Sequence, residues 1–299
     1  ASDYITGARS VIDYGSNPVN GDLYTAVDPY STDAPSGVSG GSTIFDGVDD
    51  YVFLGNEIYK SDIPSGEMTM SAWFNADSFE TEDYVSILNK GGGGSSAFAL
   101  EVKSGSIRAY IDTDAGSELT TKSVTMSTGT WYHILVVADG TNMNIYLDGD
   151  PGDPNAYDGT VNYGNNRQMS IGDNWIADGA FFDGKLKDIK LWQRGITAAE
   201  ITALVAEDTG SANYPDDPDN WWKLDSDSIA DLGAGKAISF DGTDDHIVIP
   251  YGVEFGTGDW AVSFWARPVD GTNKREYMFS MQNDTAGTNR WGIRKNGDI

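Results

Sequence analysis

Hydrolysis of a sugar bond needs two carboxylates facing one another across the substrate. Glu80 and Glu82 are two apart, but Phe79-Glu80-Thr81-Glu82-Asp83 is a polar run that reads as a solvated loop. A Ser/His/Asp site needs a reachable imidazole, and the chain has two histidines. His133 sits between Trp131 and Leu135 in an apolar stretch and reads as a packed, hydrogen-bonded core residue. Without cysteine there is no thiolate nucleophile, thiolate metal site or disulfide framework. Gly91 to Gly94 with Ser95-Ser96 lacks the Lys-Ser/Thr ending of a phosphate loop and reads as a flexible turn. What remains is carboxylate chemistry. Asp148-Gly149-Asp150-Pro151-Gly152-Asp153 approximates alternating Asp ligands, but Gly149 and Pro151 break the EF-hand pattern.

The elements that carry these residues must be turn-rich. Asp outnumbers Glu 36 to 10 and there are 36 glycines. Asp favours turns and loop ends whereas Glu favours helices, so the acidity belongs to a strand-and-loop chain. The net charge of −27 over 299 residues repels nucleic acid and anionic lipid. No apolar run reaches the ~20 residues of a membrane span, so no membrane insertion is expected. The sequence opens at Ala1 without Met or a basic-then-apolar leader, consistent with a leader already removed.

A repeat organises the chain. Ile44-Phe45-Asp46-Gly47-Val48-Asp49-Asp50-Tyr51-Val52 returns as Ser239-Phe240-Asp241-Gly242-Thr243-Asp244-Asp245-His246-Ile247. Thr69 to Ala76 returns as Ala261 to Pro268, and Lys103 to Ile107 as Lys295 to Ile299. A weaker match sets Val27-Asp28 against Leu224-Asp225. His246 stands where the first copy has Tyr51, so it carries no shared chemistry. These matches predict an N-terminal arm over 1–20, a module over 21–208, a linker over 209–220 and the first half of a second module over 221–299. Half a module would expose Trp260, Val262, Phe264 and Trp265, so the chain is expected to continue past Ile299 or to be completed by another chain.

Within the first module Met70, Ala72 and Phe74 alternate with Ser71, Trp73 and Asn75, a strand with one inward face. Further strands are expected over 84–89, 98–103, 106–112, 131–138, 142–147, 168–172 and 186–192. Turns are expected at Lys103-Ser104-Gly105-Ser106 and Asp139-Gly140-Thr141. Trp131 to Ala138 is apolar on both faces, which predicts cover on both sides. Thr197-Ala198-Ala199-Glu200 is a capping box followed by Ile201, Leu204 and Val205 at helical spacing. The expected fold is all-β: an antiparallel jelly-roll β-sandwich with one short helix, then the start of a second sandwich.

The series FDG-x-DD-Y-V, S-A-W-F, T-W-Y-H-I, I-Y-L-D-G and F-x-G-K-L-K-D-I-K-L-W-Q-R-G-I-T resembles the laminin-G-like branch of the concanavalin A-like lectin/glucanase superfamily. The resemblance covers nearly all of the first module and the front of the second. Glycoside hydrolases of that superfamily carry an E-x-D-x-x-E strand, which this sequence lacks. The resemblance places a histidine at position 133 as an ordinary feature. It also points to calcium at the FDG-x-DD turn and at the turn before the last strand. The metal candidates are therefore Asp46, Asp49, Asp50 and Asp183, with Asp241, Asp244 and Asp245 in the second copy. The competing reading is that Asp46 and Asp49 cap turn amides.

For a non-catalytic module the resemblance implies sugar binding, which needs exposed aromatic faces beside amides or carboxylates. The candidates are Tyr157, Asn162, Tyr163, Asn165 and Asn166 in the long loop, with Asp173, Asn174 and Trp175 beyond it. Alternatively, Trp175, Phe181 and Phe182 plug the end of the sandwich. The expectation is a non-enzymatic recognition module, binding a glycan or a surface protein, on an extracellular, cell-surface or virion-surface protein. The alternative is a virion structural protein, a tail fibre or capsid decoration protein, using the sandwiches for homo-oligomer or particle assembly.

Overall fold

The computed structural model describes residues 9–25, 29–55, 66–91, 97–159, 168–173, 181–215, 218–225, 229–230, 276–282 and 290–295. Two units emerge, 1–237 and 238–299. In chain order the first unit opens with β1 (Arg9–Val11), β2 (Gly21–Tyr24), β3 (Tyr30–Ser31), β4 (Ser42–Asp46), β5 (Tyr51–Gly55) and β6 (Glu67–Ala76). It continues with β7 (Val85–Lys90), β8 (Phe98–Lys103), β9 (Ser106–Thr113), β10 (Gly116–Ser123), β11 (Trp131–Asp139) and β12 (Asn142–Leu147). Then come β13 (Asp150–Pro151), β14 (Asn155–Ala156), β15 (Met169–Ile171), β16 (Asp183–Trp192), α1 (Ala198–Val205), β17 (Asn220–Trp222) and β18 (Ile229–Ala230).

Two antiparallel sheets form the sandwich. One runs β10-β9-β8-β7-β15-β5-β2-β1-β18. The other runs β13-β12-β11-β6-β16-β4-β3, with β14 on β12 and β17 on β16. Met70, Ala72 and Phe74 are each 0% exposed and meet Ile87, Leu100 and Ile111 of the facing sheet in one core. Their alternation therefore marks the inward face, as the period-2 pattern requires. β11 is covered on both sides: Ile134 and Val136 enter this core, while Leu135 and Val137 pack with Trp192, Ile201 and Leu204 beneath α1. The capping box forms as expected, with Thr197 Oγ1 accepting from Glu200 N and Thr197 N donating to the Glu200 carboxylate. Gly105 and Gly140 take φ of +75° and +87° in the two expected turns.

Ten of the eighteen described strands of the first unit lie outside the expected set, and three of them have a clear physical reason. β10, GSELTTKS, is an edge strand exposed on most of its length, so it carries no apolar alternation. β1 lies within the stretch expected to be an arm, and it joins β2 and β18. β17 begins at the last residue of the stretch expected to be a linker, runs into the stretch expected to be the second module, and pairs with β16. The sandwich thus draws strands from both sides of the 21–208 boundaries.

In the second unit β19 (Glu276–Gln282) and β20 (Arg290–Lys295) form an antiparallel pair. Asp241, Asp244, Asp245, His246, Trp260, Val262, Phe264 and Trp265 lie outside the described residues. Among the described residues no helix is long and apolar enough to cross a membrane.

Candidate functional site: an acidic rim with an aromatic strip

The candidate site is built on the turn between β4 and β5. Asp46 ends β4 and stands in register with Asp183, the first residue of β16. Gly47 turns the chain at φ +72°, and its N–H donates to Phe182 O at 3.2 Å. A Cβ there would lie 2.7 Å from Asp183 Cβ, so only glycine lets the two backbones approach this closely. Asp46 Oδ1 accepts from Val48 N (2.8 Å) and Asp49 N (3.3 Å), the Asx-type cap of the competing reading. Asp50 is 1% exposed, and its Oδ2 accepts from Asp46 N at 3.0 Å. Its Oδ1 is buried with no partner.

Asp46, Asp49 and Asp50 each bring one carboxylate oxygen within 4.8 Å of the others. Among the described residues this is the one such acidic group. Burial, followed by the neighbouring Asp46 charge, pushes the Asp50 carboxyl up to about 6. An unpartnered buried acceptor beside two further carboxylates suits a hard divalent cation, whose bonding is to oxygen. Asp183 adjoins Asp46 in the sheet but is not one of the three. A further hidden acid lies at this end. Asp173 is 5% exposed, is pushed up to about 6 by burial, and bridges to Phe181.

An aromatic strip begins next to the acidic group. Tyr51 follows Asp50 directly and stacks on Tyr24 of β2, with ring centroids 4.7 Å apart and planes 7° apart. Phe181 lies 6.3 Å from the Tyr51 ring on the other side, tilted by 36°. Tyr24 is 37% exposed, and Tyr51 and Phe181 are half-buried. The strip leads to a pocket of about 80 Å³ whose lining includes Asp46, Glu80, Asp183, Phe79, Phe181 and Phe182. Phe182, by contrast, is 2% exposed and packs edge-on against Phe45, so it is the plug and Phe181 is not.

Tyr157 is placed differently from the expectation of an exposed stacking ring. It is 7% exposed in the core, its hydroxyl donates to Gly66 O and accepts from Gly140 N, each at 2.6 Å. Both polar duties are internal, and no face is offered to a sugar. Asn162, Tyr163, Asn165, Asn166, Asn174 and Trp175 lie outside the described residues. The Asp148 turn is occupied otherwise: Asp148 Oδ1 accepts from His133 N, and Asp150 pairs with Lys122. Glu80 and Glu82 are exposed in a loop, as expected. His133 is 1% exposed with Nε2 3.2 Å from Ser71 Oγ, a core histidine. Tyr24 and Tyr51 were missed because they are adjacent only across strands. The exposed positions of the alternating patterns GDLY and YVFLG were the available signal.

The sandwich resembles several solved structures at low identity. Domain 4 of AbnA, an extracellular arabinanase of Geobacillus stearothermophilus solved with arabinotriose, is 14% identical at a TM-score of 0.47, covering 67% of this chain and 99% of that one. The botulinum neurotoxin serotype D binding domain is 12% identical at 0.46, covering 68% and 51%. The enzymatically active domain of tailspike protein 2 of bacteriophage CBA120 is 13% identical at 0.47, covering 68% and 32%. No curated protein matches the sequence. A laminin-G family model described as concanavalin A-like lectin/glucanases superfamily matches residues 46–202, more than half the chain. With a sandwich of two antiparallel sheets, one short helix among the described residues, and that match, this chain belongs to the concanavalin A-like lectin/glucanase superfamily.

Proposed function

We propose that the chain is a non-catalytic recognition module that binds glycans at the β4–β5 rim, on an extracellular or particle-surface protein. The observation that carries this reading is the Tyr24–Tyr51–Phe181 strip running from the Asp46/Asp49/Asp50 group to the adjoining pocket. Aromatic rings beside oxygen acceptors suit a sugar, whose apolar face stacks while its hydroxyls find partners. Two of the three clustered carboxylates are unsuited to hydrolysis. Asp46 is tied to two backbone amides and Asp50 is buried, so neither is free to meet a sugar bond.

Asp46, Asp49 and Asp50 are the residues that would hold calcium. Its contribution would be structural, neutralising three clustered carboxylates and stiffening the turn on which Tyr51 stands. The sequence repeat supports a second copy of the module beginning near Trp221. A structure of a longer chain in which Phe45 and Phe240 occupy unlike backbone surroundings would remove that second copy from the account.

A glycan array probed with the full chain, in calcium and in chelator, tests the rim. Tyr51→Ala and Tyr24→Ala should each lower affinity for any bound glycan by roughly tenfold or more. Calcium should raise the melting temperature of the wild type and leave Asp50→Asn unmoved. Binding indifferent to both tyrosine changes, or release of shortened sugars by the chain, would overturn the proposal.

A further inference from the structure

Residues 218–225 and 229–230 are bound into the first sandwich far more tightly than a connection between domains requires. β17 pairs with β16, setting Trp222 opposite Ile189 and Asn220 opposite Leu191. β18, seven residues on, pairs with β1 in the other sheet. One short stretch of chain therefore stitches both sheets. Trp222 and Leu224 are 0% exposed within the main core, and Trp222 Nε1 donates to Val19 O at 2.9 Å.

The receiving side is shaped for this strand. Asp13 is 5% exposed and accepts from Trp221 N (2.7 Å), Asn220 Nδ2 (2.6 Å), Gly15 N and Val19 N. Tyr14 N donates to Trp221 O, and Asn17 N to Asp219 O. Thr43 Oγ1 reaches Leu224 O at 2.9 Å, and Asp188 N reaches Lys223 O. A Cβ on Gly15 would stand 2.3 Å from Asp219 O, so the backbones pass in direct contact.

In the repeat, Leu224-Asp225 answers to Val27-Asp28, which sets Trp222 against Thr25. A threonine cannot occupy an indole's space, so the head of the first copy offers no equivalent filler. We propose that residues 218–230 are the head strand of the second repeat, donated to the first sandwich. Successive repeats are then interlocked by a shared strand, not tethered by a free linker. The donor's origin rests on the two-copy reading above; the lock itself does not. The occupant of the β16 edge is a segment of this chain, recognised by an Asn-Trp-Trp backbone ladder with one buried indole.

The test is to insert a specific protease site between Thr209 and Gly210, both exposed, and to cleave the folded full chain. The two fragments should co-elute on size exclusion at micromolar concentration and part in denaturant. Excess synthetic peptide spanning 216–231 should displace the C-terminal fragment, a readout that needs no variant. Asp13→Ala or Trp222→Ala should release the fragments, and in the uncleaved chain Trp222→Ala should lower the melting temperature by roughly 10 °C. Fragments that part on cleavage while 1–209 keeps the melting temperature of the intact chain would overturn the lock. So would co-elution indifferent to the peptide and to both variants. Failure of the two-copy reading would leave the cleavage result standing, because residues 218–230 lie in the first unit.

Discussion

His133 should make the sandwich acid-sensitive in a way that one substitution removes. The ring is 1% exposed, packs 4.9 Å from the Trp73 ring, and has no partner on Nδ1. Burial, with the Lys190 ammonium second, holds its pKa down to about 3. An unfolded histidine binds a proton near 6.5, so below that pH the unfolded state takes up a proton that the folded state refuses. Stability therefore falls as the pH drops from about 6.5 towards 3. By pH 5 the loss is about 2 kcal/mol at 1.36 kcal/mol per pH unit, and it is the same for any folded value below about 4. The comparison is chelator-treated wild type against His133→Phe, which keeps an aromatic ring beside Trp73 but cannot titrate. Guanidinium unfolding near pH 7.5 and pH 5 gives each protein's pH cost, and other carboxylates cancel in the difference. The unpaired Ser71 hydroxyl weakens the variant at both pH values alike. Wild type should lose about 2 kcal/mol more than His133→Phe between them. Parallel pH profiles for the two proteins would refute the assignment of a neutral, buried imidazole.

Three further outcomes follow from single contacts. Tyr157→Phe should cost about 1–3 kcal/mol in denaturant melts, because Gly66 O and Gly140 N lose their buried partner, and should leave glycan affinity unchanged. Gly47→Ala forces a side chain onto φ +72° against Asp183, so it should cost about 1–3 kcal/mol in thermal melts and weaken the calcium-dependent stabilisation. Glu200→Ala should cost about 1 kcal/mol, because Thr197 N loses its acceptor in the capping box. The Arg194 hydrogen bond is the first cause holding the Glu200 carboxyl down to about 2. Stabilisation by Glu200 is therefore present above the usual carboxylate range and fades as the pH falls towards 2, an effect read by helix-sensitive circular dichroism across an acid titration.

Much of the sandwich was legible in the linear pattern. β8 and β12 keep the predicted bounds, since an inward face of alternating apolar residues shows itself along a single strand. The helix was legible because Thr197 and Glu200 satisfy each other's backbone locally. β10 was not, because a polar edge strand is held by its neighbour and not by its own apolar face. At the rim the sequence pointed to the FDG-x-DD turn, but the burial of Asp50 Oδ1 and the pairing of Asp46 with Asp183 depend on strands far apart in the chain.

The amino-acid pattern alone determined an all-β chain with Asp-rich turns, one capped helix and a repeated motif, because these depend on alternation and on bonds between near neighbours. Tertiary structure alone decided which aromatics reach the surface. Tyr157 is drawn inwards by two backbone partners from separate loops, whereas Tyr24 and Tyr51 meet only because β2 pairs with β5. It alone also decided that the strand over 220–222 completes the first sandwich, since a long-range slot leaves no trace in the residues that fill it.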